Sequence, residues 1–269
     1  MEMHAILKKF TLDFLNYEVK KINKITKKID LNIRSKSKVK FDPVTDADIQ
    51  INELILNKIK SYFPKHNIKS EESAYIDNNS DYFWFIDPLD GTKNYIFGLN
   101  YYSILIGLFY KNKPIYSLIF FPKMEKFYFS IGRKCFHYSF ANKQIKNFKQ
   151  LVKNKSKSLD DRKIITNSIH TFRSKKIINF FKNKKILHKI TGADSMNFIL
   201  LTLNRADIII ESGLKDIDIF PLLNFLHANN VKYINWEKKI SLKKNNNSLI
   251  FYKNNKANRK VINSFLKVV

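Results

Sequence analysis

The run DYFWFIDPLDGTKNY, residues 81–95, constrains the fold more than any other stretch of this chain. Its apolar and aromatic residues read as a buried strand over 83–87. The strand then ends abruptly in two aspartates three apart, followed by Gly91-Thr92. Burial of a strand does not require carboxylates at its end, so Asp87 and Asp90 call for a partner. In α/β folds the C-terminal ends of strands are where ligands gather. The backbone N–H groups of Gly91 and Thr92, opening a helical turn, would point toward an anion. Pro88 stiffens the turn, and the Leu89 carbonyl would face the same side as the two carboxylates. A purely structural alternative is a strand-end turn in which Asp87 caps the next helix.

The rest of the chain supplies layers for such a strand to pack in. Residues 1–29 read as a helix, with Leu7, Phe10, Phe14, Ile22 and Ile25 on one face at a 3.6-residue period. A second amphipathic helix carries Ile51, Leu54, Ile55, Ile59 and Tyr62 and ends at Pro64. Strands are predicted at 101–110, 115–121 and 125–131, then at 163–166, 207–211 and 248–252. Helices are predicted near 174–183, 194–203, 218–229 and 257–268. The lysine-rich stretch 143–163 is the weakest-structured region. It divides the expected single domain, 1–269, into an N-terminal half of about 1–142 and a C-terminal half of about 164–269. Mixed sheets layered with helices, an α/β sandwich of two tightly packed halves, follow from that order.

Further carboxylates come from separate elements. VTDAD supplies Asp48, KSEES supplies Glu71 and Glu72, and IIIESGLKDIDIFP supplies Glu211, Asp216 and Asp218. Each has a structural alternative. Thr45 and Asp48 match a capping box, a Glu pair in a polar loop is ordinarily solvated, and Glu211 could be a strand-end surface residue. Taken together, Asp48, Glu71, Asp87, Asp90 and Asp218 converge from four elements of a chain short of acid. No cysteine set or histidine pair stands at ligand spacing, so these hard oxygen donors point to Mg2+.

WFIDPLDGTKNY resembles the signature of the inositol monophosphatase family, the lithium-sensitive, magnesium-dependent sugar-phosphate phosphatases. DPVTDAD, FPKHNIKSEES and GADSMNFILLTLNRADIIIESGLKDID are similar, in order, to the family's other conserved segments, and the likeness covers about residues 5–268. The resemblance implies an αβαβα sandwich and a water-attack phosphatase needing no covalent phospho-enzyme. By it, Glu71, Asp87 and the Leu89 carbonyl bind one Mg2+. Asp87, Asp90 and Asp218 bind a second, a weaker third sits near Glu71, and Asp48 and Thr92 orient the attacking water. Such paired ions clamp the attacking and leaving oxygens of an in-line displacement. The substrate contacts it implies are Asp90, Gly91, Thr92, Ala193, Asp194, Glu211 and Asp218. Glu211 matches the acidic residue that bonds a sugar or inositol hydroxyl, which makes inositol 1-phosphate the leading substrate. A 3′(2′),5′-bisphosphate nucleotidase and a histidinol or sugar phosphatase of the same family are the alternatives. A homodimer is a further implication. The chain departs from the family pattern at Asp194, a position where a small residue normally lines the sugar pocket. It also departs at Ile217, Phe220 and Pro221, and in HANNVKY, which replaces a Gly-Gly turn.

Other readings are weaker. A phosphatase with an aspartyl nucleophile also places Asp-Gly-Thr after an apolar strand, but its two aspartates are one residue apart, whereas Pro88-Leu89 intervene here. Lys and Arg number 49 against 23 Asp and Glu, a formal net charge of +26, which could serve a nucleic acid. The lysines are spread along the whole chain, however, and Lys, Asn, Ile, Phe and Tyr all have A/T-rich codons. Genomic compositional drift therefore accounts for the charge, and no nucleic-acid motif is legible. Cys135 is the one cysteine, so there is no internal disulfide. No apolar run reaches membrane length, and the N-terminus has no signal-peptide pattern. The expectation is a cytoplasmic, Mg2+-dependent enzyme acting on a small phosphate monoester, with no membrane partner.

Overall fold

The computed structural model of the chain describes residues 2–28, 31–38, 42–139, 149–151, 163–183, 185–239, 242 and 247–269. In place of one uninterrupted helix over 1–29, α1 (Glu2–Asp13), a π-helical turn (Phe14–Glu18) and α2 (Val19–Thr26) follow one another. Spacing explains the turn. Phe10 and Phe14 are four apart, Leu15 and Glu18 are buried beside them, and Val19, five residues after Phe14, and Ile22 continue the buried face. The Val19 N–H bonds to the Phe14 carbonyl, and this wider loop returns Val19 to the buried face. β1 (Arg34–Ser35) and β2 (Pro43–Val44) pair antiparallel. α3 (Asp46–Tyr62) opens at the expected Thr45–Asp48 capping box and buries Ile51, Ile55 and Ile59. Leu54 and Tyr62 are only partly buried.

The next elements form one sheet. These are β3 (Asn67–Ser70), β4 (Ser73–Ile76), β5 (Tyr82–Asp90), the short α4 (Thr92–Ile96), β6 (Ser103–Tyr110), β7 (Lys113–Phe121), β8 (Lys126–Ile131), β9 (Lys134–Ser139) and β10 (Lys149–Gln150). Its order is β10-β9-β8-β7-β6-β5-β3-β4, antiparallel except where β3 runs parallel to β5. The second sheet draws on β11 (Lys163–Asn167), β12 (Ile186–Lys189), β13 (Ile208–Leu214), β14 (Val231–Asn235) and β15 (Asn247–Lys253), in the order β12-β11-β13-β15-β14. With it come α5 (Lys175–Phe181), α6 (Asp194–Thr202), α7 (Asp216–Ile219), α8 (Leu223–Ala228) and α9 (Lys256–Phe265).

Three hydrophobic cores show how these layers stack. In the first, Phe10, Phe14, Ile51 and Ile55 pack on Trp84, Ile86, Ile104, Ile106 and Phe120 of the large sheet. The alternate residues of the same strands, Phe85, Leu105, Phe109 and Ile119, face the other way. They share a middle core with Phe198, Phe225, Ile209 and Phe251. The outer face of the second sheet, Ile208, Ile210 and Ile250, packs on Ile177, Ile262 and Phe265. Helices, sheet, helices, sheet, helices is the resulting order, and the middle core joins both halves. Among the described residues no helix is long and apolar enough to cross a membrane.

Several expectations change. β3, β4, β9, β12 and β14 were not legible as strands, being short and rich in polar residues. The helix expected over 218–229 is broken into α7, a 3-10 turn (Phe220–Leu222) and α8, because Pro221 cannot donate to a helical ladder. The lysine-rich stretch 143–163, apart from 149–151 and 163, lies outside the described residues.

One core contact carries a pH prediction. His66 stacks on Tyr82 with ring centroids 4.5 Å apart, and its Nδ1 accepts the Trp84 indole N–H at 3.1 Å. Burial lowers its pKa to about 4. The folded pKa lies below the unfolded value, so the unfolded chain takes the proton first as pH falls. This contribution is therefore complete above about pH 6.5 and is lost between about 6.5 and 4. Discounted for partial exposure, the loss is about 1–2 kcal/mol. Urea midpoints of wild type and His66→Gln between pH 7 and 4.5 measure it, and the variant should show the shallower decline. Parallel declines would refute the assignment.

Candidate active site

β5 continues through Pro88 to Asp90, and a register slip in it explains how two aspartates three apart come to share one face. Asp87 pairs with Leu105 and Asp90 with Ser103, so three steps along β5 match two along β6. Residues three apart on a regular strand face opposite ways; the extra residue of the bulge brings Asp90 back to the side of Asp87. Pro88 fits here because a bulge residue needs no ladder N–H. Asp87 Oδ1 accepts the Leu89 N–H at 3.0 Å inside the bulge. Asp87 therefore does not cap the next helix. The N-cap of α4 is Gly91, at φ 83°, and a Cβ there would meet the Tyr101 carbonyl at 2.9 Å and the Ala193 Cβ at 3.0 Å. Only glycine suits that position.

The second half repeats the device. On β13, Glu211 pairs with Leu249 and Leu214 with Asn247, again three steps against two. The strand then feeds Lys215 and α7. Asp218 does not open this helix. It is the third residue of α7, and its Oδ2 accepts the Lys215 N–H at 2.7 Å. Ion pairs across the two halves hold α7 in place. Lys69 of β3 meets Asp216 at 2.5 Å, and Lys215 meets Glu71 at 3.4 Å.

Asp90 reaches furthest across. Its Oδ1 accepts the Asp194 N–H at 3.2 Å and its Oδ2 the Ser195 N–H at 3.0 Å, together with the Ser195 hydroxyl. An aspartate of the first half thus receives the leading N–H groups of α6 in the second, where the helix dipole favours a negative charge. Asp48, 1% exposed, accepts the Thr45 N–H at Oδ2, while its Oδ1 lies 3.2 Å from the Thr92 hydroxyl. That hydroxyl is also 3.0 Å from the Leu89 carbonyl, and its single proton serves one acceptor at a time.

Glu71 and Glu72 are not a solvated pair. Lys36, from the loop after β1, reaches Glu71 at 3.2 Å and also contacts Glu72. Burial works against the Lys36 charge, but the two glutamates more than offset it and hold its pKa above the usual lysine range.

Asp90, Ala193, Asp194, Asn197, Lys215 and Asp218 line a cavity of about 850 Å³ between the halves, within the size range of ligand pockets. Glu211 is not a surface residue. It is fully buried, its Oε1 accepts from the Asn197 amide, and it does not itself line the cavity. Burial pushes its pKa up to about 7. Asp194 is pushed well above the carboxylate range, first by burial and then by Glu211.

The chemistry of this donor set fits divalent cations. Burial, then repulsion from Glu71, Asp90 and Asp218, holds the Asp87 pKa well above its ordinary value. Burial does the same to Asp218, with Asp194 adding to it, and raises the Asp90 pKa despite its bonds from Ser195. Among the described residues no lysine, arginine or histidine forms an ion pair with Asp87, Asp90 or Asp218. The cations go instead to Glu71, Glu72 and Asp216. Buried carboxylates without a cation partner are costly, and oxygen-only donors suit Mg2+. The fit is chemical rather than a finished cage. Among the described residues no three such side chains stand close enough together to hold an ion as they are, since each aspartate turns to its own local donor.

Sequence reasoning did not identify Ser195 and Asn197, nor Lys36 and Lys69. The first two did leave a signal, as polar residues at the start of a helix that turns apolar from Phe198. The lysines left none, being a few among many.

Comparisons with known proteins bear on the family and the fold. The profile of the Inositol monophosphatase family matches residues 12–267. The bifunctional phosphatase IMPL2, chloroplastic, of Arabidopsis thaliana is 28% identical over 218 residues, 77% of this chain and 61% of that protein. The 3′(2′),5′-bisphosphate nucleotidase CysQ of Haemophilus influenzae is 36% identical over 116 residues, 42% of each. The chain thus matches less than two thirds of the length of either relative. A crystal structure of an IMPase/NADP phosphatase complexed with Mg2+ and phosphate superposes with a TM-score of 0.76 at 21% identity, over 96% of this chain and 94% of that one. The fold is shared.

Proposed function

Because the chain belongs to the inositol monophosphatase family, we propose that it is a Mg2+-dependent phosphate monoester hydrolase. On this reading residues 1–269 act as one catalytic unit on a polyol or sugar phosphate, with inositol 1-phosphate as the reference substrate. One observation carries the proposal. Two bulged strand ends, one from each half, bring aspartates without cation partners to a shared cavity. Glu71, Asp87 and the Leu89 carbonyl would hold one Mg2+, and Asp87, Asp90 and Asp218 a second, with a third near Glu71. When bound, the ions supply Lewis acidity toward the phosphoryl oxygens and neutralise developing charge.

The chain's own groups do the rest. With the Leu89 carbonyl engaged, the Thr92 hydroxyl would donate its hydrogen bond to Asp48 Oδ1, which leaves its lone pairs free to accept a hydrogen bond from the O–H of the attacking water. Asp48 stays fixed for this because its other oxygen is held by Thr45. The wall formed by Ala193, Asp194 and Asn197 offers polar groups to substrate hydroxyls. Glu211 works from behind that wall by holding the Asn197 amide. The N–H groups of Gly91 and Thr92 are proposed to meet the phosphate.

The test is phosphate release from inositol 1-phosphate, hexose phosphates, histidinol phosphate, 3′-phosphoadenosine 5′-phosphate and an aryl phosphate, for wild type and Glu211→Gln. A charged hydrogen-bond network is worth about 1.5–3 kcal/mol. Glu211→Gln should therefore lower kcat/KM for the polyol phosphate by roughly ten- to a hundredfold. Aryl phosphate hydrolysis, which needs no hydroxyl contacts, should fall far less. Equal loss on both substrates would remove Glu211 from substrate recognition. Preference for the adenosine bisphosphate with no effect of Glu211→Gln would favour the nucleotidase reading.

A further inference from the structure

Two buried hydroxyls in series end on Asp90. Ser103 of β6 and Ser195 of α6 are each fully buried, and neither lines the cavity. Ser103 Oγ donates to Ser195 Oγ at 2.8 Å, and Ser195 Oγ donates to Asp90 Oδ2. A carboxylate accepts and each hydroxyl has one proton, so the series runs one way, from Ser103 through Ser195 to Asp90. It also crosses between the halves. Asp90 and Ser103 are cross-strand neighbours at the end of the β5 bulge, whereas Ser195 belongs to the second half. Other buried hydroxyls spend their proton on a carbonyl of their own helix, as Thr11 does on Leu7 and Thr202 on Ile199. The donors are divided unequally between the two Asp90 oxygens. Oδ2 takes the Ser195 hydroxyl and the Ser195 N–H, the latter at 3.0 Å, while Oδ1 takes one N–H, from Asp194, at 3.2 Å. With two lone pairs on each oxygen, Oδ2 is filled by protein donors and Oδ1 keeps one lone pair open.

We propose that Ser195 and, through it, Ser103 are positioning residues that fix Asp90 by its Oδ2 and leave Oδ1 as the oxygen offered to a divalent cation. The inference rests on the Mg2+ reading of the site and goes beyond it, because neither serine is a ligand or touches substrate. Groups that hold the second oxygen of a ligating carboxylate set metal affinity by roughly ten- to a hundredfold. Ser103 contributes indirectly. Its hydrogen bond polarises the Ser195 hydroxyl, strengthens the bond that hydroxyl gives, and keeps its proton turned toward Oδ2. The opposite arrangement, in which Ser195 holds Asp90 away from the cation, predicts the opposite sign: removing the hydroxyl would tighten Mg2+ binding.

The experiment titrates Mg2+ into wild type, Ser195→Ala, Ser103→Ala and the double variant. One readout is the Mg2+-induced rise in Tm, which needs no turnover; the other is phosphate release from inositol 1-phosphate. Ser195→Ala should raise the Mg2+ midpoint about tenfold in both readouts, and Ser103→Ala about threefold. The double variant should match Ser195→Ala, since Ser103 has no route to Asp90 once the Ser195 hydroxyl is gone. Saturating Mg2+ should recover most of the lost rate. The Tm without Mg2+ reports any general loss of stability, and a merely structural role would lower it without moving the midpoint. If Ser195→Ala does not fold, the midpoint of Ser103→Ala decides. Unchanged or tighter midpoints in the single variants, or additive effects in the double variant, would overturn the proposal. A wild type whose Tm does not respond to Mg2+ would overturn it together with the Mg2+ reading. A Tm response without phosphate release from any substrate would count against the phosphatase reading alone, and the midpoints would still decide the role of the serines.

Discussion

Asp90→Asn is expected to lower kcat/KM by on the order of 10³-fold or more, about 4 kcal/mol of transition-state stabilisation. The substitution removes a negative charge from a buried aspartate set and also removes an acceptor. Asp90 Oδ1 takes the Asp194 N–H and Oδ2 the Ser195 N–H and hydroxyl. An asparagine offers one acceptor oxygen, so its NH2 group must oppose either the Asp194 N–H or the Ser195 N–H. The start of α6 would then loosen at the wall of the cavity. Two controls separate charge from anchoring. Ser195→Ala keeps the charge and loses a hydroxyl donor, so it should cost far less. Excess EDTA should abolish turnover of the wild type, and Mg2+ should restore it. Turnover that survives EDTA, or an Asp90→Asn variant near wild type, would refute the metal reading.

How much of this site can be read in the sequence depends on whether the information is local. Asp87, Asp90 and Asp218 announce themselves because each follows an apolar run and carboxylates are scarce in so basic a chain. What brings Asp87 and Asp90 to one face is the slip against β6, a property of pairing between residues 87–90 and 103–105. No periodicity within β5 reveals it, and the same holds for the slip of β13 against β15. Glu211 illustrates a different limit. It was expected at the end of a strand over 207–211, but β13 runs on to Leu214, and the full burial of Glu211 depends on α6 lying over it. The π turn at Phe14–Glu18 lies between these cases. The five-residue step from Phe14 to Val19 was present in the apolar pattern, yet both ends fit a regular helix well enough to conceal it. The lysine partners of Glu71 and Asp216 were beyond reach. Lys36, Lys69 and Lys215 are distinguished from the other lysines only by where the fold puts them.

The departures Phe220 and Pro221 find their explanation in a glycine of the other half, and this yields the largest expected effect on stability. Gly107 is on β6, opposite Phe85, on the face toward the middle layer. The Phe220 ring packs on Phe85 and Phe109, with centroids 4.8 and 5.4 Å away, and so brings the Phe220–Pro221 backbone directly over Gly107. A Cβ at Gly107 would stand 2.4 Å from the Pro221 Cα and 3.1 Å from the Phe220 carbonyl oxygen. The obstacle is backbone, part of a turn that Pro221 makes stiff, so it cannot rotate aside as a side chain would. Gly107→Ala must therefore lift the turn off the sheet. Overpacking of this kind costs about 1–3 kcal/mol, here at the upper end. At roughly 2–4 °C per kcal/mol for a chain of this size, Tm should fall by about 6–12 °C. The site should suffer as well, because Asp218 lies two residues before Phe220 in the segment that moves. Activity at 25 °C, where the variant is still folded, should fall with a weakened Mg2+ dependence rather than in proportion to the unfolded fraction. A thermal scan and a Mg2+ titration of the variant provide both measurements. A Tm within about 2 °C of wild type would show that the turn yields without cost, and that β6 does not hold α7 in place through this contact.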